Sequence, residues 1–242
     1  MIPSNYHTHT RYCDGRDTPE ELILEPIRLG CPEIGFSGHS YTPFDPSYCM
    51  SPEVCDLYYS EVRRLGKKYK DKIKVLCGIE QDYFSPAPTD RYDYVIGAVH
   101  YIEKNGVYLP VDKSSERQIA DVKQYYGGDF YAYCADYYRL VGRIYEKTKC
   151  DIVAHFDLVT KFNETGDLFD TGDPRYVKAA DEALAALLPC PVTFEINSGA
   201  IARGYRKTPY PEPRILDTLR QNGAKIIKTS DCHDKRFLLL GL

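Results

Sequence analysis

No C-x-x-C pair occurs among the nine cysteines of this 242-residue chain, and no apolar run approaches the length of a membrane span. The missing pairs argue against a structural zinc site and the odd count against a disulfide framework. Scattered reduced thiols in a cytoplasmic protein are expected instead. The start, Met1-Ile2-Pro3-Ser4-Asn5, lacks a charged segment followed by an apolar stretch, so no secretory signal is read there. An excess of one charge is missing too. The formal net charge is -4 with both signs mixed along the chain, which leaves no basic field for nucleic acid and no polybasic membrane patch. Neither a G-x-G-x-x-G after the first strand pattern nor a P-loop is found, so the common nucleotide cradles are excluded. Internal repeats, low-complexity segments and linkers are also lacking.

What is present is an alternation. With 43% hydrophobic residues the chain can bury one sizeable core, and a single domain over 1–242 is expected. Short apolar or β-branched runs at 5–9, 33–39, 73–81, 94–101, 151–158, 193–197 and 225–231 read as strands. Helical patterns lie between them. The first opens at Thr18-Pro19-Glu20-Glu21, a capping box with proline in the first turn, and closes at Gly30. Others are expected over 52–70, 130–147, 174–188 and 212–221, the last closed by Asn222-Gly223. Strands alternating with helices imply a mainly parallel sheet, and seven of them suit a closed or nearly closed α/β barrel. The polar or proline-containing insertions at 41–50 and 103–115 each follow a strand, where barrel enzymes carry substrate loops. The apolar end, Phe237-Leu238-Leu239-Leu240-Gly241-Leu242, reads as a chain lacking a final helix.

Six histidines are available: His7, His9, His39, His100, His155 and His233. A lone histidine is more often a hydrogen-bonded structural or surface residue than a ligand. Here all six fall near ends of candidate strands and none in a helix. In a parallel barrel those ends converge on one mouth, so the shared pattern outweighs the bland reading. His7-Thr8-His9 places two imidazoles on one side of a strand, and Asp231-Cys232-His233 repeats the alternation with a carboxylate. Glu80 ends the apolar run Val75-Leu76-Cys77-Gly78-Ile79, where a carboxylate is costly unless paired or bound to metal. Nitrogen and oxygen donors together suit zinc, iron or manganese better than calcium. The candidates, including Asp14 and Glu195, exceed the needs of one tetrahedral ion, so more than one divalent ion is expected. Close-spaced ions suit phosphoryl transfer, because they generate hydroxide near neutral pH and clamp the oxygens of an in-line displacement.

In order along the chain, Asn5-Tyr6-His7-Thr8-His9-Thr10 with Cys13-Asp14-Gly15, Phe36-Ser37-Gly38-His39, Gly78-Ile79-Glu80, Gly97-Ala98-Val99-His100, Ala154-His155-Phe156-Asp157 and Ser230-Asp231-Cys232-His233 resemble the motifs of the PHP (polymerase and histidinol phosphatase) superfamily. Lys161-Phe162-Asn163 and Glu195-Ile196-Asn197-Ser198-Gly199 are most similar to its monofunctional histidinol-phosphatase branch. That resemblance implies a distorted (β/α)7 barrel with a trinuclear metal site. It assigns the first ion to His7, His9, Glu80 and Asp231, and the second to a bridging Glu80 with His100 and His155. The third falls to His39 and His233, where Asp14 stands in place of a further histidine and either completes the site or leaves it short of a ligand, so the resemblance implies two or three divalent ions.

The implied reaction is hydrolysis of a small phosphate monoester, L-histidinol phosphate in the first instance, by a hydroxide held between metals. Asp231 and Glu80 then serve at the reacting centre. The resemblance puts basic residues of the loops after two strands on the phosphate, here Lys161 and Arg203, with Arg206 and Lys207 as rivals. Glu195, Asn197 and Ser198 are expected to orient ligands or polar substrate groups, and Tyr41, Phe44 and Tyr108 lie on candidate rim loops. Three alternatives remain: a phosphoesterase for nucleotide or sugar phosphates, a non-catalytic metal-binding module, and a metal-dependent amidohydrolase. Amidohydrolases usually carry a metal-bridging lysine in mid-barrel, where this chain has Glu80.

Overall fold

Thr18 caps the first helix as its sequence predicts. In the computed structural model, which describes residues 4–242, the Thr18 hydroxyl accepts from the Glu21 N–H. The Glu21 carboxylate accepts from the Thr18 N–H in return. This helix, α1 (Pro19–Leu29), ends at Gly30 in the left-handed region. Side-chain caps also start α2 (Pro52–Lys68, from Ser51), α3 (Ser115–Tyr126, from Ser114) and α4 (Phe130–Val141, from Asp129). They are followed by α5 (Ile144–Thr148), α6 (Pro174–Leu187), α7 (Gly199–Ala202) and α8 (Pro213–Gln221). The strands are β1 (Glu33–Phe36), β2 (Lys74–Cys77), β3 (Ile79–Asp82), β4 (Val95–Ala98), β5 (Tyr101–Lys104), β6 (Val107–Pro110), β7 (Ile152–Val153), β8 (Thr193–Asn197) and β9 (Lys225–Thr229).

β3, β4, β7, β8 and β9 form a parallel sheet in that order, and β1 pairs parallel with β2. Two seams join these pieces. At the first, β2 runs into β3 through Gly78, whose N–H donates to the Phe36 carbonyl at 2.7 Å, and His39 bridges Glu80 in parallel. Only glycine fits at 78, since a Cβ there would meet the Tyr94 ring at 2.4 Å. At the second, residues 5–9 lie between β1 and the chain after β9. Gly35 and Ser37 donate to the carbonyls of Asn5 and Thr8 at 2.8 and 2.9 Å. His9 donates to the Cys232 carbonyl, and Cys232 to that of His7, at 2.8 and 3.0 Å. Seven staves therefore close one hydrogen-bonded ring, a distorted α/β barrel in which the β3–β4 connection carries no helix and β9 is followed only by a short 3-10 turn.

Several elements differ from the sequence pattern. The helix expected over 130–147 breaks at Gly142-Arg143 into α4 and α5, glycine being about 1 kcal/mol poorer than alanine inside a helix. The segment 103–115, expected to be an irregular loop, instead completes a β5–β6 hairpin and leads into α3. Its turn is Asn105-Gly106, both with positive φ, which is the type I′ signature. Near the end of the chain Leu238 is buried, and its carbonyl accepts from Asn5 Nδ2 and Ser230 Oγ at 3.1 and 2.8 Å. The apolar tail thus clamps the second seam. Among the described residues all nine cysteines are free, and no helix is long and apolar enough to cross a membrane.

Candidate metal centre

Closing the ring brings the C-terminal ends of the strands to one mouth, as barrels require. His7 and His9 arrive from the second seam, His39 from beyond β1, Glu80 from β3 and His100 from beyond β4. His155 follows β7, and Asp231 and His233 follow β9. Three sets of donor atoms lie within 4.8 Å of one another: His7, His9 and Glu80; His39, Glu80 and His100; and His9, Asp14, His39 and His233. Glu80 is central to the first two. Its Oε2 lies 3.4 Å from His7 Nε2, 3.5 Å from His9 Nε2 and 2.8 Å from His39 Nδ1. Its Oε1 lies 3.2 Å from His155 Nε2 and 3.5 Å from His100 Nε2. Asp231 Oδ1 stands 3.5 and 3.2 Å from His7 Nε2 and His9 Nε2. Its backbone is left-handed, with φ 46°, a conformation costing about 1–3 kcal/mol that turns the carboxylate inward. Asp14 faces His39 Nε2 at 3.6 Å and His233 Nε2 at 3.3 Å. The turn carrying it needs Gly15, because a Cβ there would strike the His9 backbone at 2.6 Å.

The outer ring nitrogens of three histidines are held, whereas His155 Nδ1 has no hydrogen-bond partner. His7 Nδ1 faces Glu195 Oε2 at 2.9 Å, His100 Nδ1 faces Asp82 Oδ2 at 3.2 Å, and His233 Nδ1 meets the Asp231 carbonyl at 2.9 Å. An acceptor on Nδ1 places the proton there and aims the Nε2 lone pair inward, the arrangement of ligating imidazoles. Buried polar atoms ordinarily find partners. His7 Nε2, His9 Nε2 and Glu80 Oε2 make no hydrogen bond and point into the cluster, so the donor set fits divalent cations.

The electrostatics favour cations as well. Burial would lower the His7 and His100 imidazoles, but facing carboxylates hold His7 well above its ordinary value and push His100 up to about 9. Burial and the charges of His233 and His39 push His9 down to about 3. Against the effect of burial, surrounding imidazoles hold Glu80 well below the usual carboxylate range, and His7 and Arg203 do the same for Asp231. Protons on imidazoles balance these carboxylates, and divalent ions would displace them.

A cavity of about 180 Å³ opens over the cluster. Of the residues expected to bind substrate, Arg203 lines it, with its guanidinium 3.1 Å from Asp231 Oδ2. Lys161 lies behind the wall, donating to the carbonyl and Oδ2 of Asp112 at 2.8 and 3.1 Å. Glu195 and Asn197 are buried beneath His7: Glu195 accepts from His7, from the His155 N–H and from Asn197 Nδ2. Ser198 is buried outside the cavity lining, its N–H donating to the Thr229 carbonyl. Phe44 and Tyr108 stack with centroids 3.6 Å apart outside the cavity lining, Phe44 packing edge-on against Tyr101, and Tyr41 lines a different cavity. Arg206 donates to Thr160, and the Lys207 N–H to Glu164.

Sequence reasoning missed Tyr48, Tyr101, Asp45 and Asp112 on the cavity wall, and Asp82 behind His100. Asp82 follows Glu80 at strand spacing, a signal that was available. Asp112 depends on the hairpin and had none.

Below His155, Asp157 Oδ2 accepts the Glu212 N–H at 2.8 Å. Burial and the Asp157 charge push the Glu212 carboxyl up to about 7. A raised carboxyl contributes stability below its unfolded value near 4.5 and loses it as the pH rises through 7. Glu212→Gln is therefore expected to stabilise the protein by about 1–2 kcal/mol at pH 8 and hardly at all at pH 4.5. Urea midpoints at the two pH values check this.

The comparisons with known proteins agree with the geometry. A family model described as the PHP domain matches residues 5–199, and the chain belongs to that family. It is 26% identical over 260 residues to a probable histidinol-phosphatase of Schizosaccharomyces pombe, covering 96% of this chain and 81% of that one. It is 23% identical to a histidinol-phosphatase of Bacillus subtilis, covering 94% and 92%. A structure of a candidate histidinol phosphatase from Listeria monocytogenes superposes with a TM-score of 0.84 at 20% identity, covering 99% and 98%. A Lactococcus lactis histidinol phosphate phosphatase, solved with zinc, L-histidinol and phosphate, superposes with 0.70 at 21% identity, covering 97% and 87%. At these identities the structural likenesses establish the fold.

Proposed function

We propose that this chain is a metal-dependent phosphomonoesterase that hydrolyses L-histidinol phosphate to L-histidinol and phosphate, a step of histidine biosynthesis. The observation that carries the reading is the convergence of six imidazoles, Glu80, Asp231 and Asp14 on one barrel mouth, with inward atoms left unpartnered. The names of the full-length relatives supply the substrate, and the free thiols fit a cytoplasmic setting. His7, His9, Glu80 and Asp231 would hold one ion, Glu80, His100 and His155 a second, and His39, His233 and Asp14 a third. Zinc, manganese and iron all suit these donors. Divalent cations supply Lewis acidity there, activating water near neutral pH and neutralising phosphate oxygens.

The protein's own residues position the reactants. Arg203, at the edge of the cluster, reaches a phosphate oxygen once it exchanges Asp231 for substrate. Lys161 adds a weaker positive field because Asp112 already balances it. Asp231, held ionised, accepts a hydrogen bond from the attacking water and orients it. The carboxylate of Asp45 on the cavity wall complements the ammonium of the leaving alcohol. Catalysis on these terms is positioning plus electrostatics, with no covalent enzyme intermediate.

A panel of phosphomonoesters, including nucleotide and sugar phosphates, assayed with zinc or manganese tests the substrate. Turnover of L-histidinol phosphate no faster than the generic esters would remove it. Arg203→Ala is expected to lower kcat/KM by about 100-fold, and Lys161→Ala by about 10-fold. Equal losses in the two variants would show that Asp112 does not shield Lys161.

A further inference from the structure

His9 faces two candidate ion sites at once. Its Nε2 is directed at Glu80 and Asp231, at 3.5 and 3.2 Å, while its Nδ1 lies 3.8 Å from Asp14 on the side of His39 and His233. A neutral imidazole has one lone pair and can serve only one of them. The third neighbour of the ring is Cys13, whose Sγ lies 3.6 Å from Nδ1 and 3.4 Å from the Thr10 carbonyl. A thiol carries a single proton. The Thr10 carbonyl can only accept; it takes that proton alongside the Cys13 and Gly15 N–H groups at 2.9 and 3.1 Å, and the sulfur is left as the acceptor for the Nδ1–H of His9. Nδ1 is then the protonated nitrogen, and the lone pair lies on Nε2, a buried atom with no hydrogen-bond partner.

We propose that Cys13 is the positioning residue that commits His9 to the ion shared with His7, Glu80 and Asp231, leaving the third site to Asp14, His39 and His233. Three of the other five imidazoles support this, whereas His39 turns Nδ1 to Glu80 and His155 Nδ1 has no hydrogen-bond partner. His7, His100 and His233 each have Nδ1 occupied from outside, by Glu195, Asp82 and the Asp231 carbonyl. His9 follows the same rule, with sulfur in place of oxygen. Asp14 at 3.8 Å is too distant to compete as a hydrogen-bond acceptor. The sharing of Cys13 between Thr10 and His9 also ties the turn that carries Asp14 to the first ion's ligand. Partners behind a metal ligand are worth roughly 10–100-fold in metal affinity.

The inference rests on the metal-centre reading, and two measurements separate the two. In the zinc-loaded wild-type protein, long-range proton–nitrogen NMR of the histidine rings is expected to show His9 protonated at Nδ1 and zinc-shifted at Nε2. Chelator competition is expected to show that Cys13→Ala weakens one ion by about 10–100-fold, with Cys13→Ser recovering most of the loss. Zinc on Nδ1 of His9 overturns the proposal while the metal reading stands. So does a Cys13→Ala protein that loses thermal stability but keeps wild-type zinc affinity. A wild-type protein that retains no zinc overturns both. Should Cys13→Ala fail to fold, the wild-type spectrum decides.

Discussion

Glu80→Gln is expected to strip at least one ion from the protein and to lower phosphatase turnover by about 1000-fold or more. The amide keeps the shape of the side chain but removes the charge that faces five imidazoles across 2.8–3.5 Å. An amide can also offer only one acceptor oxygen, so it cannot bridge two sites. Elemental analysis alongside the rate checks both halves. Glu195→Gln makes the useful contrast, since Glu195 acts through His7 Nδ1 and the His155 N–H rather than on an ion. A loss of about 10–100-fold in metal affinity is expected for it, with turnover recovering as metal is added. If Glu80→Gln kept full metal content and turnover, the cluster would be a structural hydrogen-bond network and the phosphatase reading would fall.

The histidines were legible because the barrel imposes a rule on them: strand ends converge, so residues of one chemistry at successive strand ends become neighbours. The strand at Thr193–Asn197 and the capping box at Thr18 were legible for local reasons, periodicity in one and side-chain reach in the other. Asp14 was visible as a candidate, but its direction was not. It depends on Gly15 packing against the His9 backbone, a contact no spacing rule encodes. The same limit explains Lys161. Its place after a strand pointed to phosphate, yet its ammonium reaches Asp112, on the segment between β6 and α3 that the sequence reading took for an irregular loop. The Asn105-Gly106 turn was the missed signal. A hairpin over β5 and β6 carries Asp112 toward the mouth, and the cavity wall beyond the ligands could not be read without it.

Chelation is expected to make the protein's stability fall with rising pH, a dependence the metal-loaded protein lacks. Without cations, the charge on the carboxylates is balanced by protons on imidazoles, and His100 is pushed up to about 9 by Glu80 and Asp82 against the effect of burial. A histidine whose folded value is raised contributes stability that is full below its unfolded value near 6.5 and is lost as the pH climbs through 9. For His100 alone the shift corresponds to at most about 3 kcal/mol. Glu80 and Asp231 act in the opposite sense. Their depressed values add stability above the ordinary carboxylate range, and it is lost only as the solution turns acidic. The chelated protein should therefore unfold most readily at the alkaline end of the 6.5–9 window. With metal bound the imidazoles are neutral ligands, so loading releases protons and affinity weakens as pH falls. Thermal unfolding at pH 6.5 and 9, with and without chelator, gives four values. The gap between loaded and stripped protein should widen at pH 9, and a gap independent of pH would show that ions do not replace imidazole protons in this cluster.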